Sequence, residues 1–237
     1  MMGQGICHED KLGGDMDNLL GGLSPEQHAA LMAIAQVKNV KRGHVLLEHG
    51  DDGSAMCLLL EGVCKVCLYS ASGKEVILDY LGPAQIVGEL SLFDGKPRAA
   101  SVVMVEAGRV AIFQRRDMLA FLAAHPDTAV QFIRVLCGRL RKTNELLESY
   151  RAGAMGPKLA RGILRLLADH GDADSDGSER LRFRISQSDL GSFVSLSREN
   201  VNRQLSDWQA DGYVLLQSGQ IEIRDREALE DIAEFYG

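Results

Sequence analysis

Between residues 37 and 113 the chain runs in short apolar stretches separated by glycine-rich turns. VLLEHG leads into the turn DDGS. MCLLLEG and VCKVCLYS follow, ASGK turns the chain again, and EVILDYLGP, IVGEL and ASVVMVEAGRVAIF complete the series. Runs this short, rich in Val, Ile and Leu and closed by Gly, predict the strands of a β-barrel or jelly roll. Ahead of them, residues 16–36 show helical apolar spacing, with Ser24 as cap and Pro25 in the first turn of a helix. Residues 1–15 carry no such pattern and are expected to be a flexible tail.

Beyond the strands the period changes to that of helices. Arg116 to Ala124 predicts a short helix, stopped at His125-Pro126, and Thr128 to Arg151 a long one. In the long helix Val130, Ile133, Cys137, Leu140, Asn144 and Leu147 follow the alternating three- and four-residue steps of a two-stranded coiled-coil seam. A second apolar line, Ala129, Phe132 and Leu136, is free to face the strands. Such a helix is buried on two sides, by its own domain and by a second copy. Gly153, Gly156 and Pro157 predict a hinge after it. Then come a helix from Lys158 to His170, a solvated acidic loop over 169–179, a strand from Leu181 to Ile185, two close helices, the hairpin YVLLQSGQIEI and a terminal helix in DREALEDIAEFYG. The fold class is α+β: an N-terminal domain over 16–126, a dimerisation helix over 127–152 and a small C-terminal domain over 153–237.

The two close helices carry the first chemistry. Ser186 and Ser197 are cap residues, and Leu190, Phe193 and Val194 on one helix match Val201, Leu205 and Trp208 on the other. Two short helices about a tight turn predict a helix-turn-helix, with the hairpin as a wing. Arg198, Glu199, Asn202 and Arg203 share the exposed start of the second helix, the part of a reading helix that enters the major groove. Arg suits guanine O6 and N7, and Glu accepts from cytosine N4. Ser186, Ser188 and Ser197 are placed to donate to phosphates.

Net charge decides how far this goes. The chain carries 26 basic and 33 acidic side chains, a net −7, which excludes a non-specific polyanion binder. Yet Arg180 to Leu205 holds five arginines against Asp189 and Glu199, so the positive charge is local. The expected partner is double-stranded DNA with a palindromic operator.

IVGELSLFDGKPRAASV places one carboxylate, Glu89, and one guanidinium, Arg98, among apolar and small residues. Arg98 offers a fork suited to phosphate. Gly88 permits close backbone approach, and the amides of a short helix from Glu89 favour an anion. Glu89 can accept from a sugar hydroxyl. A nucleotide of low charge satisfies both groups, and a structural Glu89–Arg98 ion pair is the competing explanation.

GELSLFDGKPRAASV resembles the phosphate-binding cassette of cyclic-nucleotide-binding domains, in the form found in protein kinase A regulatory subunits. ISQSDLGSFVSLSRENVNR resembles the helix-turn-helix of the bacterial cyclic-AMP receptor protein/FNR family. The resemblance implies a cyclic-nucleotide-binding barrel, a long dimerisation helix and a winged helix-turn-helix. It implies a ligand site of Gly88, Glu89, Leu90, Ser91, Arg98 and Ala99, joined by Arg139 and, across the dimer, by Thr143 and Asn144. The implied ligand is cAMP or cGMP. Ala99 leans toward cAMP, whereas Asn144, where the family has Ser, could serve guanine or fix the register of the seam. A cytoplasmic homodimeric transcription regulator that contacts RNA polymerase follows, without metal and without catalysis. The alternative is a ligand-independent dimeric regulator whose barrel is only structural.

Other motifs point elsewhere and fail on chemistry. Cys64 and Cys67 form a CxxC within a strand, where positions three apart face opposite sides. Five cysteines without a secretory signal imply reduced thiols, and only Cys7 lies near the N-terminus, where a clustered iron–sulfur set would have to be. Asp172 to Gly177 resembles half a calcium loop, but its twelfth position is Phe183. No nucleophile with a base and no metal triad is legible, and no run is long and apolar enough to span a bilayer.

Overall fold

The computed structural model describes residues 19–151, 154–173, 177–217 and 220–234, with the side chains of 145–151 excepted. The tail expected over residues 1–15, Cys7, and the side chain of Leu147 lie outside that set.

A 3-10 turn at Leu20–Gly22 precedes α1 (Pro25–Ala33). Ser24 caps α1 with a full capping box: its hydroxyl accepts from the Gln27 amide, and the Gln27 side chain accepts from the Ser24 amide. The strands that follow are β1 (Gln36–Val40), β2 (Val45–Leu47), β3 (Ala55–Glu61), β4 (Cys64–Tyr69), β5 (Glu75–Leu81), β6 (Ile86–Val87), β7 (Ser101–Met104) and β8 (Gly108–Gln114). They form two four-stranded antiparallel sheets, ordered β1-β8-β3-β6 and β2-β7-β4-β5. These are the sheets of a jelly roll; among the described residues they do not join into a closed barrel. Leu59, Cys64, Val102 and Val110 pack between them, and α2 (Glu89–Asp94) sits in the loop between β6 and β7.

α3 (Arg115–Ala124) and α4 (Pro126–Arg151) complete this half. Pro126 opens α4 instead of merely ending α3, as its fixed φ suits a first helical position. Of the two buried sides expected of α4, the one against its own domain is present, carried by Phe132 and Val135 with Ala129 and Leu136 only partly buried, while the residues of the expected seam are exposed. Phe132 and Val135 are buried beside Met56, Ile86 and Phe113, while Ile133 is 58% and Leu140 63% exposed in the single chain.

The C-terminal half holds α5 (Met155–His170), β9 (Gly171–Ala173), β10 (Glu179–Leu181), α6 (Gln187–Val194), α7 (Arg198–Ala210), β11 (Val214–Gln217), β12 (Gln220–Ile223) and α8 (Arg226–Glu234). Its sheet runs β11-β12-β10-β9. Three expectations change here. The strand expected over 181–185 is Glu179–Leu181 instead, because Phe183 and Ile185 turn away to fill the apolar core. The acidic stretch is not all loop: Gly171–Ala173 pairs with β10 as a hairpin, and residues 174–176 lie outside the described set. Of the expected hinge, 152 and 153 also lie outside; Ala154 is extended, and Met155, Gly156 and Pro157 already form the first turn of α5.

One apolar cluster joins the two halves. Val63, Cys67, Ile77 and Tyr80 of the jelly roll are buried with Leu167, Phe183 and Phe193 of the C-terminal half. Lys65 bridges the boundary, with Nζ 2.8 Å from both Glu75 and Asp189. Arg165 donates to the Leu78 carbonyl at 3.1 Å, and His170 Nε2 lies 3.0 Å from the Tyr80 carbonyl oxygen.

Candidate functional site

Two sites emerge, one inside the jelly roll and one on the helix pair. The first is built on the turn between β6 and α2. Gly88 has φ +81°, and a Cβ there would lie 2.6 Å from Arg98 Nη1 and 2.8 Å from Leu47, so only glycine lets Arg98 come this close. Gly53, in the turn before β3, does the same from the other side: its Cβ would meet Ser91 at 2.4 Å and the Arg98 guanidinium carbon at 2.9 Å. Sequence reading missed Gly53, because its neighbours in space lie about forty residues away in the chain.

Arg98 is 6% exposed and Glu89 4%. They are not each other's ion-pair partner, so the structural pair set against the nucleotide site does not form. Arg98 donates from Nη1 to the Gly88 carbonyl at 2.9 Å and from Nη2 to the Ala55 carbonyl at 2.6 Å. Two carbonyls orient the fork without neutralising it, and a guanidinium has five N–H donors, so some remain for an anion. Burial lowers the Arg98 pKa from its ordinary value, and the nearby Cys57, Glu89 and Asp51 oppose that shift. Glu89 is held instead by Arg139 of α4, Nη1 to Oε1 at 2.7 Å, while the Arg139 Nη2 donates to the Ile86 carbonyl. The long helix α4 thus reaches directly to the carboxylate of the site.

Around these groups lies a pocket open to solvent, whose empty space counted out through its mouth is about 410 Å³. Gly88, Glu89, Leu90, Ser91, Arg98, Ala99 and Arg139 all line it, as expected, and Leu47, Val66, Leu81 and Val102 add apolar walls. Those walls come from strand positions whose inward direction the sequence pattern alone did not single out. Thr143 and Asn144 do not line it. They are exposed on α4, a turn beyond Arg139, and the Thr143 hydroxyl donates to the Arg139 carbonyl at 2.8 Å.

The second site is the helix pair α6–α7. Ser186 caps α6 by accepting from the Asp189 amide at 2.9 Å, and Ser197 caps α7 by accepting from the Asn200 amide at 3.2 Å. The turn between them depends on Gly191, whose Cβ would lie 2.7 Å from the Leu196 carbonyl oxygen, and on Ser195 in the left-handed conformation at φ +58°. Leu190, Val201 and Leu205 are fully buried, with Phe193 and Trp208 nearly so. That packing leaves Arg198, Glu199, Asn202 and Arg203 exposed together on α7. The Glu199 carboxyl is held below its usual pKa, first by its own first-turn amide and then by the Ser197 hydroxyl, so it stays an acceptor at neutral pH. Asn202 Oδ1 accepts from Gln187 at 3.1 Å, and Arg203 rests on Asn200 Oδ1 at 3.3 Å. Ser188 is exposed, but the Ser186 hydroxyl already donates to Asp189 at 2.9 Å.

Among the described residues the cysteines are all free thiols, and Cys64 and Cys67 do not converge. Cys64 is buried between the sheets and Cys67 in the cluster between the two halves. Burial pushes the thiols up, Cys57 and Cys67 each to about 11, so neither is a ready thiolate. No group of His, Cys, Asp or Glu among the described residues has the arrangement of a metal site, and Phe183 is core, not a calcium ligand. Among the described residues no helix is long and apolar enough to cross a membrane.

Comparison with known proteins gives two family matches: the cyclic nucleotide-binding domain over residues 37–125 and the Crp-like helix-turn-helix domain over 157–232. The chain is 30% identical to the CRP-like cAMP-activated global transcriptional regulator of Mycobacterium tuberculosis, over 88% of this chain and 92% of that protein. It is 31% identical to the cyclic AMP receptor protein of Thermus thermophilus, over 91% and 96% respectively. Among solved structures, the Thermus thermophilus catabolite activator protein is 30% identical with a TM-score of 0.52, covering 91% of this chain and 98% of that one. FixK2 of Bradyrhizobium japonicum shares the fold at a TM-score of 0.75 and 16% identity, covering 86% and 100%.

Proposed function

The chain belongs to the cyclic-AMP receptor protein/FNR family of DNA-binding transcription regulators, and from that premise we propose that it works as a homodimer whose affinity for a palindromic operator is set by a cyclic nucleotide in the Glu89–Arg98 cavity. It is a regulator and not an enzyme. The observation that carries the proposal is that Glu89 and Arg98, both buried, line one cavity without pairing with each other.

In this reading the cyclic phosphate sits against Arg98 and the first-turn amides of α2, and Glu89 accepts from the ribose hydroxyl. Ser91 and Ala99 stand beside the phosphate. Leu90, half exposed at the cavity rim, covers the sugar. Arg139 already holds Glu89, so a ribose that shares or displaces that bond acts on α4 directly. Thr143 and Asn144, exposed one turn further along α4, reach the base in the second copy. cAMP is favoured by Ala99 and by the names of the relatives, both of which refer to cAMP; cGMP is the other candidate, through Asn144.

The second copy docks along Val130, Ile133, Cys137 and Leu140, which are exposed in the single chain and fall on one seam. α7 then enters the major groove with Arg198, Glu199, Asn202 and Arg203, while Ser188 and Ser197 meet phosphates. Ligand binding shifts the population of dimers toward the arrangement in which both reading helices match successive half-sites. RNA polymerase and a cytoplasmic setting complete the proposal.

One observation favours a second reading, a ligand-independent regulator with a structural jelly roll: in this chain the Arg98 and Arg139 guanidiniums already have backbone partners. Isothermal titration separates the two. The proposal expects saturable binding of cAMP or cGMP to the wild type and none to Arg98→Leu. Equal affinity in both, or no binding by the wild type, removes the phosphate site. Arg98→Leu also leaves the Ala55 carbonyl without its side-chain donor, while the Gly88 carbonyl keeps the Leu92 amide, so the variant should be less stable by about 1–3 kcal/mol at most.

A further inference from the structure

Among the described residues His170 is the only buried histidine, and it stands where the two halves meet. It is the last residue of α5, and its Nε2 lies 3.0 Å from the Tyr80 carbonyl oxygen of β5. A carbonyl only accepts, so Nε2 carries the proton. The ring meets Phe183 edge to face at 5.4 Å between centroids, and Gly82, in the turn after β5, lies against its Nδ1 and Cε1 edge. The acids within reach of a charge on this ring already hold cations. Asp79 of β5 lies 3.7 Å from Arg165, and Asp169 of α5 lies 3.2 Å from Lys142 of α4. Beyond β10, Arg182, itself 3.0 Å from Asp172 of β9, repels a further positive charge. Burial therefore prevails. It lowers the His170 pKa from its ordinary value, and the Tyr80 carbonyl, Asp169 and Asp79 offset it only in part.

We propose that His170 is a proton-operated latch between the halves: neutral, it lets them dock, and protonated, it loosens them, so that acid changes how α7 is presented to the operator. The effect on the operator rests on the DNA-binding reading above; the latch itself does not. Docking takes the ring out of water and packs it against Phe183, a member of the apolar cluster between the halves. That environment admits a neutral imidazole and resists an imidazolium, whereas water solvates the charge once the halves part. The docked state thus takes up its proton at lower pH than the parted one. Docking keeps its full strength above the ordinary histidine value of about 6.5 and weakens as pH falls below it, by up to about tenfold per pH unit until the docked ring itself titrates. Asp79 works in the opposite sense, because burial raises its pKa and the docked state takes up its proton more readily. A variant that changes His170 alone leaves that opposing group in place.

Pulse labelling of the full chain with 4,4′-dithiodipyridine, read thiol by thiol by mass spectrometry, tests the latch without nucleotide or DNA. Cys67, buried in the cluster between the halves, reports their parting, and Cys64, buried between the sheets, reports unfolding of the jelly roll. The proteins are the wild type and His170→Gln, whose side-chain amide can donate to the Tyr80 carbonyl but takes up no proton. From about pH 7.5 to about pH 5.5 the ratio of Cys67 to Cys64 labelling should rise in the wild type, by up to about tenfold, and stay level in His170→Gln. A wild-type ratio that does not rise overturns the latch, as does an equal rise in His170→Gln. If His170→Gln is already labelled fast at neutral pH, the wild-type ratio alone decides, since it needs no variant. Operator affinity by fluorescence anisotropy, at saturating cAMP and again at saturating cGMP, should shift severalfold over the same pH range in the wild type relative to His170→Gln. Affinities that follow pH identically in both proteins overturn the coupling to the operator. If Cys67 responds but the wild type binds no operator at either pH, the DNA-binding reading fails and the latch stands.

Discussion

Arg98 shows how much a single side chain is asked to do. It is buried, held by two backbone carbonyls, and given room by two glycines, Gly53 beside its Nε and guanidinium carbon and Gly88 beside its Nη1. A fork supported in this way would lose little freedom on meeting the proposed phosphate, which favours affinity. The same logic applies on the DNA side. Arg198 needs no internal partner because the caps and core of α6 and α7 already fix the helix that carries it, and Glu199 is held only locally, by its own amide and the Ser197 hydroxyl. Arg198→Ala is therefore expected to leave folding intact and to weaken specific operator binding by about 1–3 kcal/mol, with relaxed preference at one base pair. A gel-shift series over operator variants measures this; an unaltered order of preference would refute the assignment.

Single elements explain what the sequence disclosed and what it hid. The helix starts at Ser24, Ser186 and Ser197 were legible because a cap is a local event, decided by one hydroxyl and an amide three residues on. The exposed line of Val130, Ile133, Cys137 and Leu140 on α4 was legible because it is periodic, and that a second copy covers it is part of the proposal. Leu140→Glu tests it, since it places two carboxylates opposite each other across a parallel pair. Sedimentation should show a monomer with normal helix content, and a persistent dimer would move the interface elsewhere. The strand before α6 was misplaced because Phe183 and Ile185 are apolar for the sake of the cluster between the two halves, not of a ladder. The Glu89–Arg139 pair was only half visible. Both residues could be named, but a contact across 50 positions depends on how α4 packs, which no local pattern encodes.

At the scale of the whole molecule, the sheet that lines the cavity also carries the DNA-binding half. Val66 and Leu81 wall the Glu89–Arg98 cavity, while their immediate neighbours Lys65 and Tyr80 hold α6 and the apolar cluster. α4 adds a second link, with Arg139 on Glu89 and, three residues on, Lys142 paired with Asp169 of α5. The docking between the halves is imperfect at one atom: the Tyr80 hydroxyl is buried without a hydrogen-bond partner. Such a group costs about 1–3 kcal/mol, relieved when the halves separate and water reaches it. Tyr80→Phe is thus expected to raise the melting temperature and to blunt the response to nucleotide by favouring the docked arrangement. A lower melting temperature would mean that the hydroxyl is satisfied after all.

The central claim is that one nucleotide in the jelly roll changes how tightly α7 grips its operator, and operator affinity titrated in parallel with cAMP and cGMP measures it most directly. Wild-type affinity should tighten at least severalfold with one of the two, and that of Arg98→Leu with neither. Identical operator affinity with and without either nucleotide would contradict it.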